Sequence, residues 1–361
     1  MPLSGAKTRF WLQAALLFAV MALLGAIAFN VADNLTRQAT EFGFDFLWQP
    51  AGFSILQSLI PFDERSSYGR AFVVGLLNTL LVAVVGIAVA TPLGFGLGVA
   101  RLAPNRALRL LGTGYVELIR NLPLLLILFF LYFGVLRQLP SPRQSLTFSG
   151  AYLNIRGLFV PAIEVHSAGP VLMGIAVSAV LAFLVPKGRA RSIALAAATI
   201  AVAIAVAASA TISWPEPKGL SIFGGWHLIP EFVALAAALS LYTAAYIAEI
   251  VRAGIESISR HQRDAAQALG LTGWQATRFV VIPQALRLII PPLTSQYLNL
   301  TKNSSLAVAI AYPDLVSVFA GTTLAQTGKA VEIMGITMGV YLTLSLSTAA
   351  ILNWRNASIS A

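Results

Sequence analysis

Apolar runs of membrane length, separated by short polar or basic stretches, set the pattern of the chain. The first, Phe10–Phe29, follows Lys7 and Arg9 and is long enough to cross a bilayer at about 1.5 Å per residue. Ala26-Ile27-Ala28 has the look of a signal-peptidase site, but the apolar run exceeds the roughly 7–15 residues of a signal h-region, so a retained helix is expected. A second run spans Ala71–Ala100 and is followed at once by Arg101, Arg106 and Arg109; a third spans about Thr113 to Leu136, interrupted at Asn121-Leu122-Pro123. Pro170–Val185, with Lys187, Arg189 and Arg191 behind it, is the fourth, and the Ala/Ile/Val-rich Ser192–Ile212 the fifth. Glu231–Ile250, Leu286–Ala311 and Val331–Leu352 complete the set, the last ending at Trp354-Arg355. Between the runs, Val31–Arg70 carries Asp33, Glu41, Asp45, Asp63 and Glu64, while Arg137–Gly169 and Ser213–Pro230 are rich in proline and read as loops.

The pattern predicts an all-α integral membrane protein of about eight transmembrane helices. With the amino terminus in the cytoplasm, parity puts the Arg101–Arg109 and Lys187–Arg191 clusters and the carboxyl terminus there too, as the positive-inside rule requires.

Composition narrows the class. Hydrophobic residues make up 57% of the 361 and charged residues 11%, which excludes a soluble globular chain. The net charge of +10 is split among the flanks of the apolar runs, so lipid and not nucleic acid is the expected neighbour. There is no cysteine, and His166, His227 and His261 lie far apart without a His-Glu-x-x-His pattern, so no metal site is expected. Gly321 and Gly328-Lys329 are too widely spaced for a phosphate loop, and Ala330 stands where a magnesium-holding Ser or Thr would be. No cofactor is expected in this chain, and no catalytic constellation is visible.

One stretch without a membrane-length run, Arg252–Arg287, reads as a compact helical hairpin that parity places in the cytoplasm. Its first helix is predicted from about Ile255 to Leu269, with Gly270 as a left-handed stop. Thr272 and Gln275 form a capping-box pattern for a second helix, and Pro283 limits that helix. Ala265, Ala266, Ala268 and Gly270 offer so little side-chain bulk that another protein surface could approach the backbone closely.

Polar residues inside the runs are few and therefore informative. Gln296, Asn299 and Asn303 recur at i, i+3 and i+7, beside a second row of Ser295, Asn299 and Lys302. A mid-depth lysine costs about 2.5–3.5 kcal/mol on insertion scales, so Lys302 should face a water-filled path or pair with a buried carboxylate such as Glu249. Glu117 and Arg120 are spaced to pair on one helix face, and Gly94 and Gly98 form a small-xxx-small packing face.

The hairpin carries a resemblance. Asp264-Ala265-Ala266, three residues, Gly270, nine residues and Val280-Val281-Ile282-Pro283 resemble the EAA loop of ABC importer permeases, with Asp for the leading Glu and Ile282 for the Leu before the proline. Tyr115–Leu125, Ala245–Ile255, Lys302-Asn303-Ser304-Ser305-Leu306 and Pro313-Asp314-Leu315 are similar to the polar amino acid branch of that family. The resemblance covers Ala71 to Trp354 except Arg137 to Pro230, and a long permease with such an insertion resembles the Q-type membrane subunit of bacterial general L-amino acid transport systems.

It implies a type I ABC importer transmembrane fold (residues 71–354) with an amino-terminal extra helix and periplasmic segment (1–70), a two-helix insertion (137–230) and a cytoplasmic coupling loop (252–287). It implies a multi-pass subunit of the bacterial inner membrane that imports L-amino acids without being an enzyme itself. The expected partners are ATP-binding subunits that hold ATP and Mg, a second and related permease subunit, and a periplasmic amino acid-binding protein. Asp264, Ala265, Ala266, Gly270, Ile282 and Pro283 would couple to the ATPase. Glu249, Gln296, Asn299, Lys302 and Asn303 are the candidate substrate path. A permease for another small polar solute, or a membrane scaffold without transport, are the alternatives.

Overall fold

The computed structural model describes residues 3–37, 43–165, 210–219 and 221–360. Helix α1 (Leu3–Arg37) is continuous through the first apolar run. α2 (Tyr68–Ala100) follows, its first turn capped by the Ser67 hydroxyl on the Arg70 amide. α3 (Arg106–Arg120) starts at an Asn105 cap whose side-chain oxygen accepts the Ala107 and Leu108 amides. α4 (Leu124–Phe129) continues through a wider turn, Phe130–Val135, to Gln138, and is bent by 105° from α3 at Asn121-Leu122-Pro123. The proline stops the helix there because it brings no amide donor and disfavours a helical residue before it.

α5 (Pro230–Glu256) packs along α2 and against α3 and α4. α6 (Arg260–Ala268) and the single-turn α7 (Gly273–Ala276) make the hairpin. α8 (Ile282–Asn303) runs unbroken through Pro291 and Pro292 into a tight helical stretch, Ser304–Ile310, that ends at Ala311 with φ 57°. A wide-turn segment, Val316–Thr323, leads to α9 (Leu324–Thr327) and α10 (Ala330–Ser360).

Among the described residues, four helical runs are long and apolar enough to cross a membrane: Tyr68–Ala100, Pro230–Glu256, Gly273–Ile310 and Ala330–Ala350. The bent pair Arg106–Arg120 and Leu124–Gln138 makes a fifth if it is one span. The expected fourth span, Pro170–Val185, and the fifth up to residue 209 lie outside the described residues.

The third run is broken at Asn121-Leu122-Pro123, where its sequence placed an interruption, and α3 leaves the line of α4 by 105°. One expectation needs correction: the fold is not all-α. Among the described residues, stretches read as loops, with the end of the expected fifth span, form eight short antiparallel strands: β1 (Leu146–Phe148), β2 (Ala151–Asn154), β3 (Gly157–Val160), β4 (Ala162–Val165), β5 (Ala210–Ser213), β6 (Glu216–Lys218), β7 (Ser221–Phe223) and β8 (Trp226–Leu228). They pair as β1-β2-β3-β8, β4-β5 and β6-β7, so the end of the expected fifth span, 210–212, is strand. The physical reason lies in the turns. Ser149 and Gly150 both have positive φ, 48° and 81°, which is the geometry of a two-residue hairpin between β1 and β2.

The bundle closes on small residues of α2. A side chain at Gly94 would put its Cβ 2.5 Å from the Ile247 Cβ, and one at Gly98 would sit 2.7 Å from the Val251 Cβ and 2.9 Å from the Ala248 carbonyl oxygen. The Gly94–Gly98 face therefore lies directly on α5, as the spacing predicted. Gly98→Val should lower the thermal midpoint of the purified protein in detergent, by an overpacking cost of about 1–3 kcal/mol, whereas Gly96→Ala, which meets nothing within 4 Å, should leave it unchanged. At the other end of α2 the Thr79 hydroxyl accepts the Leu315 amide at 3.0 Å, and the Asn78 amide donates to the Gln57 and Pro313 carbonyls, each at 2.8 Å. Those bonds fix the irregular segment after α8 against the bundle.

Candidate functional site

The hairpin forms as its local chemistry dictates, though its first helix is shorter than expected. α5 runs on to Glu256, and the chain restarts as α6 at Arg260, because the Ser259 hydroxyl accepts the His261 amide and breaks the run expected from Ile255. At the far end the Leu271 amide donates to the Ala266 carbonyl and the Gly270 amide to the Gln267 carbonyl, a paired closure that needs the left-handed conformation Gly270 holds at φ 83°. The Thr272–Gln275 capping box then starts α7, with the Thr272 amide donating to Gln275 Oε1 at 2.9 Å. Pro283 sits in the first turn of α8, where the missing donor costs nothing, and both it and Ile282 are exposed.

Ala266 is buried, 3% exposed, on the inward side of α6. Asp264, Ala265 and Ala268 face outward, joined by Leu269 at 84% and Trp274 at 67% exposed. Two large apolar side chains standing in the open at a tight turn make a surface suited to burial by another protein.

Where α5 meets the hairpin, charges gather. Glu249 Oε2 accepts from Arg101 Nη1 at 2.6 Å and lies 3.3 Å from Arg120 Nη1, while its Oε1 accepts from Arg252 Nη2 at 2.5 Å. Arg252 also bonds Glu256 one turn on. This network ties the end of α2 and the end of α3 to α5. It overturns one expectation and removes one alternative: Arg120 turns to Glu249 and no ion pair joins it to Glu117, and Glu249 is not the partner offered to Lys302. The tertiary contacts win because one carboxylate inside an apolar helix draws every guanidinium within reach, whereas the i, i+3 pair on α3 gains only a few tenths of a kcal/mol, about 0.2–0.5, from proximity.

The wet face of α8 does meet a cavity. Gln296, Asn299 and Asn303 line a space of about 310 Å³ together with Tyr242, Thr243 and Tyr246 of α5. The two tyrosine hydroxyls are 3.1 Å apart. Each lining residue carries a neutral hydrogen-bonding group, so the walls can solvate a polar molecule without a fixed charge in the cavity lining. Lys302 does not join them. It points instead into a larger, mostly apolar groove of about 540 Å³ between the end of α8 and α10, beside Met334, Met338 and Tyr341.

The sequence missed Arg101, Arg252, Tyr242, Thr243 and Tyr246. A signal existed for some of these. Arg101 is the first charge after an apolar run, and Tyr242, Tyr246 and Glu249 fall on one face of the sixth run at i, i+4 and i+7.

Residues 90–357 match the model of a family described as binding-protein-dependent transport system inner membrane component. The chain is 47% identical over 353 residues to the general L-amino acid transport system permease protein AapQ of Rhizobium johnstonii, covering 92% of this chain and 88% of that one. It is 39% identical over 379 residues to the glutamate/glutamine/aspartate/asparagine transport system permease protein BztB of Rhodobacter capsulatus, covering 91% and 88%. Among solved structures, the crystal structure of an amino acid ABC transporter with histidines aligns with a TM-score of 0.52 at 22% identity, over 81% of this chain and 95% of that one, a likeness of fold.

Proposed function

The chain belongs to the binding-protein-dependent transport system inner membrane components, the permeases of ABC importers, and from that premise we propose that it carries L-amino acids inward across the bacterial inner membrane. The observation that carries the mechanism is the hairpin, a rigid, locally capped turn whose outward face presents Ala265, Ala268, Leu269 and Trp274. Its occupant in this reading is a separate ATP-binding subunit, which holds the ATP and Mg that this chain has no motif to bind. Work enters where that subunit pushes on the hairpin. The ion network around Glu249 passes the push from α5 to α2 and α3 as one body, and the bundle alternates between outward-open and inward-open states.

The hairpin lies on the cytoplasmic side in this reading, as do the basic flanks at Lys7-Arg9 and Arg101–Arg109. A periplasmic amino acid-binding protein delivers the solute, and a related second permease completes the path. The polar cavity between α5 and α8 lies in the usual range of ligand pockets, about 300–1,000 Å³, at its lower end. Its amides and hydroxyls suit a small zwitterion, and Gln296, Asn299 and Asn303 form the part of the substrate path that the sequence already marked.

Reconstitution tests the reading. Proteoliposomes holding this chain, its second permease and the ATPase should accumulate radiolabelled L-amino acids only with ATP and the binding protein present. Accumulation that ignores ATP would overturn it. Asn299→Leu, at an exposed position of the cavity wall, should reduce uptake by about fivefold to tenfold, the worth of one or two lost hydrogen bonds, with no change in chain abundance.

A further inference from the structure

The cation that the sequence offered to the polar path does not line the polar cavity. Lys302 lies in the apolar groove on the α10 side. Arg120, in contrast, lies against a residue that lines the cavity, with Cζ 5.3 Å from the ring centroid of Tyr246. It lies toward the hairpin side of that wall, since it also reaches Glu249, three residues further along α5.

Its hold on Glu249 is the loosest of three. Arg101 and Arg252 bond the carboxylate at 2.6 and 2.5 Å, whereas Arg120 stands at 3.3 Å. Arg120 is also the most exposed of the three side chains, at 40% against 9% for Arg101 and 30% for Arg252. In the cluster three arginines face two carboxylates, Glu249 and Glu256, so one positive charge is unmatched. Arg101 and Arg252 already neutralise Glu249, and Arg120 can leave it without stranding a negative charge. A guanidinium over an aromatic ring can present its planar edge to a carboxylate with two parallel hydrogen bonds.

We propose that Arg120 binds the α-carboxylate of the amino acid at the hairpin side of the polar cavity, exchanging Glu249 for the substrate. The assignment rests on the cavity between α5 and α8 being the substrate path. It makes the carboxylate, and not the side chain, the group that the inner part of the path recognises. It also places that recognition on the residue whose other partner, Glu249, belongs to the network next to the hairpin, so substrate arrival loosens the tie between α3 and α5.

The test must bypass the binding protein, which imposes its own selectivity. Equilibrium binding of a radiolabelled amino acid to the purified permease–ATPase complex without binding protein is measured, with competition by the same amino acid, its carboxamide and the decarboxylated amine. The native complex should prefer the amino acid over its amide by about tenfold, equivalent to about 1.4 kcal/mol. Arg120→Gln should reduce that preference to less than about twofold, and Arg120→Lys, which keeps the charge but loses the planar fork, should retain part of it. Asn299→Leu should weaken the acid and the amide alike. A native preference that survives intact in Arg120→Gln, with Arg120→Lys equally unaffected, overturns the assignment while the cavity reading stands. Absence of any binding by the native complex overturns the cavity reading and the assignment with it.

Discussion

Ala265→Trp is expected to lower ATP-dependent uptake by more than about tenfold while the chain still inserts and accumulates normally, and Ala266→Trp is expected to act in the opposite way, lowering abundance first. The two alanines are neighbours in sequence but lie on different faces of α6. Ala265 shares the outward face with Ala268 and Leu269, at i+3 and i+4, and is exposed there. An indole there costs the permease little by itself and blocks whatever surface covers Leu269 and Trp274. Ala266 is 3% exposed, and its carbonyl accepts the Leu271 amide that closes the turn. An indole there must displace the packing of the hairpin, at an overpacking cost of about 1–3 kcal/mol or more.

Immunoblots of membranes, copurification of the ATPase and uptake together separate the outcomes. The expected result is normal abundance, lost copurification and lost uptake for Ala265→Trp, with reduced abundance for Ala266→Trp. Full uptake in Ala265→Trp would remove the docking role from this face of α6. Gly270→Asp lies between the two. Nothing stands within 4 Å of the position, so the added side chain meets no atom, but φ 83° strains any residue with a Cβ by about 1–2 kcal/mol.

The contrast between Ala265 and Ala266 shows what the sequence could and could not convey. The turn itself was legible because its causes are local: a glycine for the left-handed residue, a Thr and a Gln three apart for the cap, and a proline at the next helix start. Gly94 and Gly98 were legible for the same reason, since four-residue spacing of the smallest side chains fixes a packing face whatever the partner helix. Which alanine of a small-residue run points inward depends on the helix phase. That phase is set by the break at Ser257–Ser259, which the run of helix-compatible residues concealed.

Contacts across long sequence separations were the harder part. Arg101 and Glu249 are 148 residues apart, and a pattern read along one helix offers only local pairs such as Glu117–Arg120 and Glu249–Arg252. Parity could have suggested it, because both charges fall at the same end of apolar runs and neither has a local partner of opposite sign inside its own run. The β-strands escaped because each is three or four residues long, too short for an alternation to register against proline and aromatic residues. Lys302 was misjudged through depth alone. Insertion cost says that a lysine avoids lipid, and says nothing about which of two cavities receives it.

The ion network yields the second large effect, and its size follows from an asymmetry of burial. Glu249→Leu leaves Arg101, whose side chain is 9% exposed, with no carboxylate, and an unpaired charge in a dry site costs about 3–5 kcal/mol when one partner of a buried pair is removed. Glu249 itself is 25% exposed, so water offsets part of that, and the lower end of the range is expected. Arg101→Leu should cost far less, because Glu249 keeps Arg252 at 2.5 Å and Arg120 at 3.3 Å. The double replacement Arg101→Leu/Glu249→Leu removes both buried charges at once and leaves Arg252 its second partner, Glu256. Its thermal midpoint in detergent should therefore lie above that of Glu249→Leu alone, which a cycle of the three variants reads as a coupling between the sites. Equal losses for the two single variants, adding up in the double, would mean that the pair carries no joint role. In that case the movement of α5 would have to reach α2 through helix packing, such as the contact of Gly94 and Gly98 with Ile247 and Val251.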